Sequence, residues 1–126
     1  MAEGLVRHHL GGRVTVASAG TRPEPVNPHA IAVMAEAGIP IDHQESTPLD
    51  HFLPDPWDAV ITLCDAADRA CPTFPGAAAR HHLPFPDPAR ARGGPDEVLP
   101  VYRQVRDALA AQLLPFVRRL LDARTP

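Results

Sequence analysis

The run Trp57-Asp58-Ala59-Val60-Ile61-Thr62-Leu63-Cys64 constrains this chain most. Its apolar centre is continuous rather than alternating. A strand of that kind pairs in parallel and is covered on both faces, which commits the chain to crossover connections and an α/β fold. The sequence around it agrees. Val14-Thr15-Val16-Ala17-Ser18-Ala19 alternates and stops at Gly20, which predicts a second strand. Asn27-Pro28 is an N-cap followed by proline at the first helical position. Ala30, Ile31, Val33, Met34 and Ala37 then keep helical spacing up to a Gly38 stop. Asp65 to Ala70 predicts a short helix that Pro72 cannot continue. His81 to Pro88 holds three prolines, room only for a brief strand and a stiff loop. From about Asp96, Val98, Tyr102, Val105, Leu109, Leu113, Phe116 and Leu120 define a long helix that Pro115 should kink or divide.

At 126 residues, 44% hydrophobic and 21% charged, the chain has the length and composition of one folded domain, residues 1–126. No apolar stretch approaches the roughly 20 residues of a membrane span. A net charge of −3 without basic clustering argues against nucleic acid. Two cysteines and no secretory pattern point to a reducing compartment, the cytoplasm. The basic residues are all arginine, and with 16 prolines this reads as a bias of composition.

Met1 to Leu10 reads as a helix with Ala2, Leu5, Val6, His9 and Leu10 on one side, ended by Gly11-Gly12. No Ser, Thr, Asp or Asn caps its start. The expectation is that a segment is missing ahead of it, the alternative being a true start with a frayed first turn.

Cys64 falls at the carboxyl end of the most apolar strand, the edge at which open α/β sheets bind ligands. Cys71 follows seven residues on, so along a helix the two α-carbons would stand about 10.5 Å apart. A disulfide needs roughly 4.4–6.8 Å, so closing the pair means unwinding the helix between them. The pair reads as a redox switch coupled to local unfolding, or as two unrelated buried thiols. A zinc site with His81 and His82 does not suit the spacing, and His8-His9 shows no ligand geometry. Asp87, between Pro86 and Pro88, is either a carboxylate aimed by a rigid loop or the N-cap of a short helix starting at Pro88. A general acid there needs burial or a nearby anion to keep its proton.

Several stretches together give the chain a family likeness: Met1-Ala2-Glu3-Gly4, Ser18-Ala19-Gly20-Thr21, Val26-Asn27-Pro28, Thr62-Leu63-Cys64-Asp65 with Ala70-Cys71-Pro72, Pro84-Phe85-Pro86-Asp87-Pro88, and Val105-Arg106-Asp107. The chain resembles, from Met1 to about Leu121, the thioredoxin-coupled arsenate reductases of the low-molecular-weight protein tyrosine phosphatase fold. The resemblance implies a three-layer αβα domain with a four-stranded parallel sheet. It also implies a mechanism. A thiolate in a Cys-x5-Arg loop attacks arsenate, Asp87 protonates the departing oxygen, and Cys64 attacks the nucleophile's sulfur and releases arsenite. Cys71 then resolves to a Cys64–Cys71 disulfide that thioredoxin, or another thiol donor, reduces. No bound cofactor is implied. Glu3 and Ser18 match positions that help hold a cation in some members, and Thr47 stands where an acidic partner would be.

The pattern departs from the family in one place. Six residues after Cys64 stands Ala70, and six after Cys71 stands Ala77, so neither begins a Cys-x5-Arg loop. The expectation is an N-terminally incomplete domain, short of the first, central strand and its anion loop, and therefore without activity as it stands. Two other readings remain. A low-molecular-weight protein tyrosine phosphatase needs no cysteine relay and usually has an aromatic residue after Asp-Pro, where Ala89 stands. A non-catalytic dithiol remnant would bind trivalent arsenic through Cys64 and Cys71 alone.

Overall fold

The apolar period of the last quarter folds as one long helix in the computed structural model, which describes residues 1–19, 26–44, 47–52, 55–64 and 79–124. Among the described residues the other α-helices are α1, Ala2–Leu10, and α2, Pro28–Glu36; the long one is α3, Pro95–Arg124. Two short strands, β1 (Val60–Thr62) and β2 (Arg80–His82), pair in parallel. The chain is thus mixed α/β, with a small parallel sheet among the described residues. These residues fall into two units: residues 1–18, 26–44 and 87–124 form one, residue 19 with 47–86 the other.

In the first unit α3 begins at Pro95, and Gly94 caps it by accepting from the N–H groups of Glu97 and Val98, both at 3.0 Å. Asp96 and Glu97 in the first turn suit the helix dipole. The helix is not divided at Pro115, as its sequence suggested. Proline there removes the donor for the Ala111 carbonyl, a loss of about 3 kcal/mol. Leu113, Leu114 and Val117, all buried around that point, each return about 1.5–3 kcal/mol on leaving water. Packing therefore outweighs the proline.

The buried stripe runs through Val98, Tyr102, Val105, Leu109 and Leu113 as the spacing predicts. Around Pro115 it turns: Leu114 and Val117 are buried, while Phe116 and Leu120 are only partly covered. The reason is a change of partner. Tyr102, Arg103 and Arg106 face α2, whereas Asp122 pairs with Arg13, just past the end of α1, at 2.8 Å.

Helix α1 buries Gly4, Leu5, Val6 and Leu10; His9, expected on that side, is exposed. Its start has no side-chain cap, and the Met1 carbonyl takes the Leu5 N–H at 3.0 Å. Gly4 is where the backbone comes closest to its neighbour. A Cβ built there would lie 2.7 Å from Ile41 Cγ2 and 3.2 Å from Gln44 Nε2. Ile41 is fully buried and cannot yield.

Helix α2 is framed as its sequence predicts. Asn27 Oδ1 accepts from the His29 N–H at 2.8 Å. Gly38, at φ +77°, turns the chain so that the Ile39 N–H reaches the Met34 carbonyl at 2.9 Å. One orphan carbonyl of the last turn, on Val33, accepts from Arg106 Nη1 at 2.8 Å. Arg106 also reaches Glu36 Oε1 at 3.0 Å, and Arg103 grips the same carboxylate at 2.8–3.2 Å. Two guanidiniums thus fasten the end of α2 to α3.

Residues 14–19 are neither strand nor helix, which corrects the strand expected there. Val14 and Val16 are half-buried and Thr15 and Ala17 exposed, so the alternation survives. What is lacking among the described residues is a ladder. The Val16 carbonyl accepts from Arg7 Nη2 at 2.9 Å, a side chain taking a strand partner's place. The expected helix from Asp65 to Ala70 lies outside the described residues.

Two outcomes follow. Gly4→Ala should lower stability by about 1–3 kcal/mol, since overpacking against Ile41 exceeds alanine's helix advantage of up to about 1 kcal/mol; chemical denaturation measures it, and a stabilised variant would contradict the close approach. The Glu36 carboxyl is held at about 2, below its ordinary 4.5, first by the Arg103 hydrogen bond and further by Arg106. Its stabilisation is complete above 4.5 and disappears as pH falls through about 2. The gap in unfolding midpoint between wild type and Glu36→Gln should therefore be constant near neutral pH and close across that acid window.

Candidate functional site

The second unit carries the site's clearest geometry. Trp57 introduces β1: its Nε1 donates to the Phe52 carbonyl at 2.9 Å and its ring meets Phe52 edge-on at 5.5 Å. Val60, Ile61 and Thr62 then pair with Arg80, His81 and His82. Val60 and Ile61 are half-buried and Thr62 is buried, so the strand is parallel as predicted but less covered than its apolar run implied.

The prolines after β2 fall where the ladder needs no donor. The N–H of Leu83 bonds the Thr62 carbonyl at 2.9 Å, and that of Phe85 bonds Leu63 at 2.7 Å. Pro84 and Pro86 occupy the alternate positions, so neither costs a bond. Regular pairing would carry Phe85 to residue 64. Its bond lands on Leu63 instead, so two residues on the β2 side advance one on β1, as in a bulge. Pairing thus steps out of register just before Cys64, which is partly buried.

Across the strands, Thr62 Oγ1 lies 2.7 Å from His82 Nδ1 and also donates to the His81 carbonyl at 3.4 Å. This contact joins residues 20 apart, and spacing gave no sign of it. Only the parallel register reveals it.

Asp87 belongs to the first unit. Its Oδ1 accepts from the Ala89 N–H at 3.0 Å and caps the 3-10 turn Pro88–Arg90. The capping reading of Asp-Pro is therefore realised, with the side chain exposed. Tyr102 is buried beside the His29 ring at 5.5 Å; burial first, and the Asp87 charge second, push its phenol up. Cys64 and Asp87 are thus described in separate units, and Cys71 lies outside the described residues.

Glu3 has positive and polar partners already. Its Oε2 pairs with Arg7, and its Oε1 accepts from the Ser18 hydroxyl. A guanidinium occupies the carboxylate that the resemblance links to a cation. Thr47 is partly buried. Among the described residues no group of three or more His, Cys, Asp or Glu side chains is placed to hold a metal ion, and no helix is long and apolar enough to cross a membrane.

Comparison with known proteins places this geometry. An arsenate reductase of Halalkalibacterium halodurans is 40% identical over 116 residues, covering 92% of this chain and 84% of that protein. One of Bacillus subtilis is 41% identical over 117 residues, with the same coverage. Among solved structures, an arsenate reductase in the oxidized state superposes with a TM-score of 0.79 at 29% identity, over 94% of this chain and 86% of that one. An arsenate reductase in the phosphate binding state gives 0.74 at 28% identity, with the same coverage. The model of the low molecular weight phosphotyrosine protein phosphatase family matches residues 1–124, and the chain belongs to that family.

Proposed function

We propose that this chain is an arsenate reductase-type oxidoreductase whose residues serve a cysteine relay from arsenate to arsenite. What carries the reading is its likeness to arsenate reductases, about 40% identical across 92% of the chain, together with the Cys64…Cys71 spacing. The small parallel sheet then belongs to a single three-layer αβα domain whose sheet is four-stranded in the family and here lacks the first, central strand. The oxyanion is arsenate, with phosphate as its mimic.

In the first step a thiolate in a Cys-x5-Arg loop displaces a hydroxyl from arsenic, and Asp87 supplies the proton that lets it leave as water. Cys64 then attacks the nucleophile's sulfur. A sulfur–sulfur bond forms, the sulfur–arsenic bond breaks, and its electron pair stays on arsenic, which departs as arsenite. Cys71 attacks Cys64, leaving a Cys64–Cys71 disulfide and restoring the nucleophile. The dithiol of thioredoxin, or another thiol donor of a cytoplasmic reducing environment, returns the two electrons. The 126 residues hold the last two thiols and no Cys-x5-Arg. By themselves they are inactive towards arsenate.

The family's name keeps phosphotyrosine hydrolysis as a second reading. It needs the same nucleophile loop but neither Cys64 nor Cys71, so the relay separates the two.

The 126-residue chain should show no arsenate-dependent thioredoxin oxidation, while mild oxidation should join Cys64 to Cys71 in a bond that thioredoxin reopens. Peptide mapping tests this; Cys71→Ser should abolish the bond, and turnover by the chain alone would refute the assignment. When a Cys-x5-Arg loop is supplied, Asp87→Asn should slow the single-turnover arsenate step by about 10²-fold. It should leave the thermal midpoint nearly unchanged, because asparagine keeps the Oδ1 that caps Pro88–Arg90. Asp87→Ala should lose about 1 kcal/mol of stability as well.

A further inference from the structure

We propose that Arg7 is a built-in counter-ion: its guanidinium fills an oxygen cage of Glu3, Val16 and Ser18 that would otherwise hold an alkali cation. The starting point is one carboxylate. The Glu3 side chain is only 12% exposed, so its charge must be matched where it stands. Either a mobile cation from solution or a group of the chain itself can do that. In this fold the chain does it. Arg7 Nη1 donates to Glu3 Oε2, and the Ser18 hydroxyl donates to Oε1.

The cage comes from the way the chain reverses. Helix α1 ends at Leu10, whose carbonyl accepts from the N–H groups of Arg13 at 2.9 Å and Val14 at 3.2 Å. Residues 14–18 then run back along the helix, so that Val16 meets Arg7 and Ser18 meets Glu3. The two spans match. Glu3 to Arg7 is one turn of helix, a rise of about 6 Å. Val16 to Ser18 covers about 6.6 Å at the rise of a strand. One planar guanidinium therefore serves both sides, Nη1 on the carboxylate and Nη2 on the Val16 carbonyl at 2.9 Å.

A hard cation takes the same kinds of oxygen, from carboxylates and carbonyls. One entering here would compete with Arg7 for Oε2 and for the Val16 carbonyl. It would also face a like charge that never loses its proton. The positions that the family likeness links to a cation, Glu3, Ser18 and Thr47, carry one negative charge in this chain, and Arg7 cancels it. These residues therefore do not fit a bound cation while Arg7 is in place. An ion pair one helical turn apart contributes little by itself. This one gains weight from its second arm, which ties the Val16 carbonyl, nine residues on, to α1.

The test is the thermal midpoint of the full 126-residue chain in potassium chloride against choline chloride at equal ionic strength. The wild-type midpoint should be the same in both, within about 1 °C. Arg7→Met keeps the apolar stem and removes the charge. It should melt about 2–8 °C lower in choline chloride, and potassium should raise its midpoint saturably towards wild type. Glu3→Gln added to Arg7→Met should abolish that response. A wild-type midpoint that rises with potassium but not with choline overturns the proposal, and so does an Arg7→Met variant indifferent to potassium. Should Arg7→Met not fold, the wild-type comparison decides alone, equal midpoints supporting the built-in counter-ion. The measurement reads stability only, so its result is independent of arsenate turnover and of the cysteine relay.

Discussion

Parallel pairing of β1 with β2 is the constraint on which the site depends. Two three-residue strands hold little energy by themselves, yet their register fixes which side chains face each other across the pair. Val60 opposite Arg80 puts Thr62 opposite His82. The same register lets Leu83 donate to Thr62 beside Pro84, and the bulge that follows lets Phe85 donate to Leu63 beside Pro86. A slip of one residue would bring a proline to a donor position and turn Thr62 to the other face. Proline spacing therefore protects the register as well as stiffening the loop.

The helical unit is held by a different balance. Apolar burial along α3 supplies the bulk of the stabilisation, enough to carry the helix through Pro115. Burial alone does not choose which stretch of α3 meets α2. Arg103 and Arg106 do that, by converging on Glu36 and on the Val33 carbonyl that the end of α2 leaves without a helical partner. Gly4 makes the corresponding choice for α1, since any side chain there would strike Ile41.

Much of this was legible in the residues. Asn27-Pro28 and Gly38 mark both ends of α2, because a cap and a left-handed turn are local requirements of the chain itself. Val98 to Leu113 mark α3 for the same reason. The prediction failed where a segment's state depends on a partner. Val14–Ala19 has a strand's alternation but no ladder, and Arg7 takes the Val16 carbonyl. Phe116 and Leu120 follow the ideal period, but α3 changes partner near Pro115 and its buried face turns with it.

The site divides along the same line. Sequence alone determined which groups are present: thiols at 64 and 71, a carboxylate framed by prolines at 87, and no Cys-x5-Arg among 126 residues. It also determined that the Thr62–Cys64 segment ends a parallel strand, since a continuous apolar run carries that information locally. Only the tertiary structure decided that Asp87 caps Pro88–Arg90 and that Arg7 and Ser18 engage Glu3. It alone decided that Thr62 and His82, 20 residues apart, share a hydrogen bond. Composition and spacing describe one chain segment at a time. A contact across strands exists only once the backbone has chosen its register, and that choice is made by the whole ladder rather than by either residue.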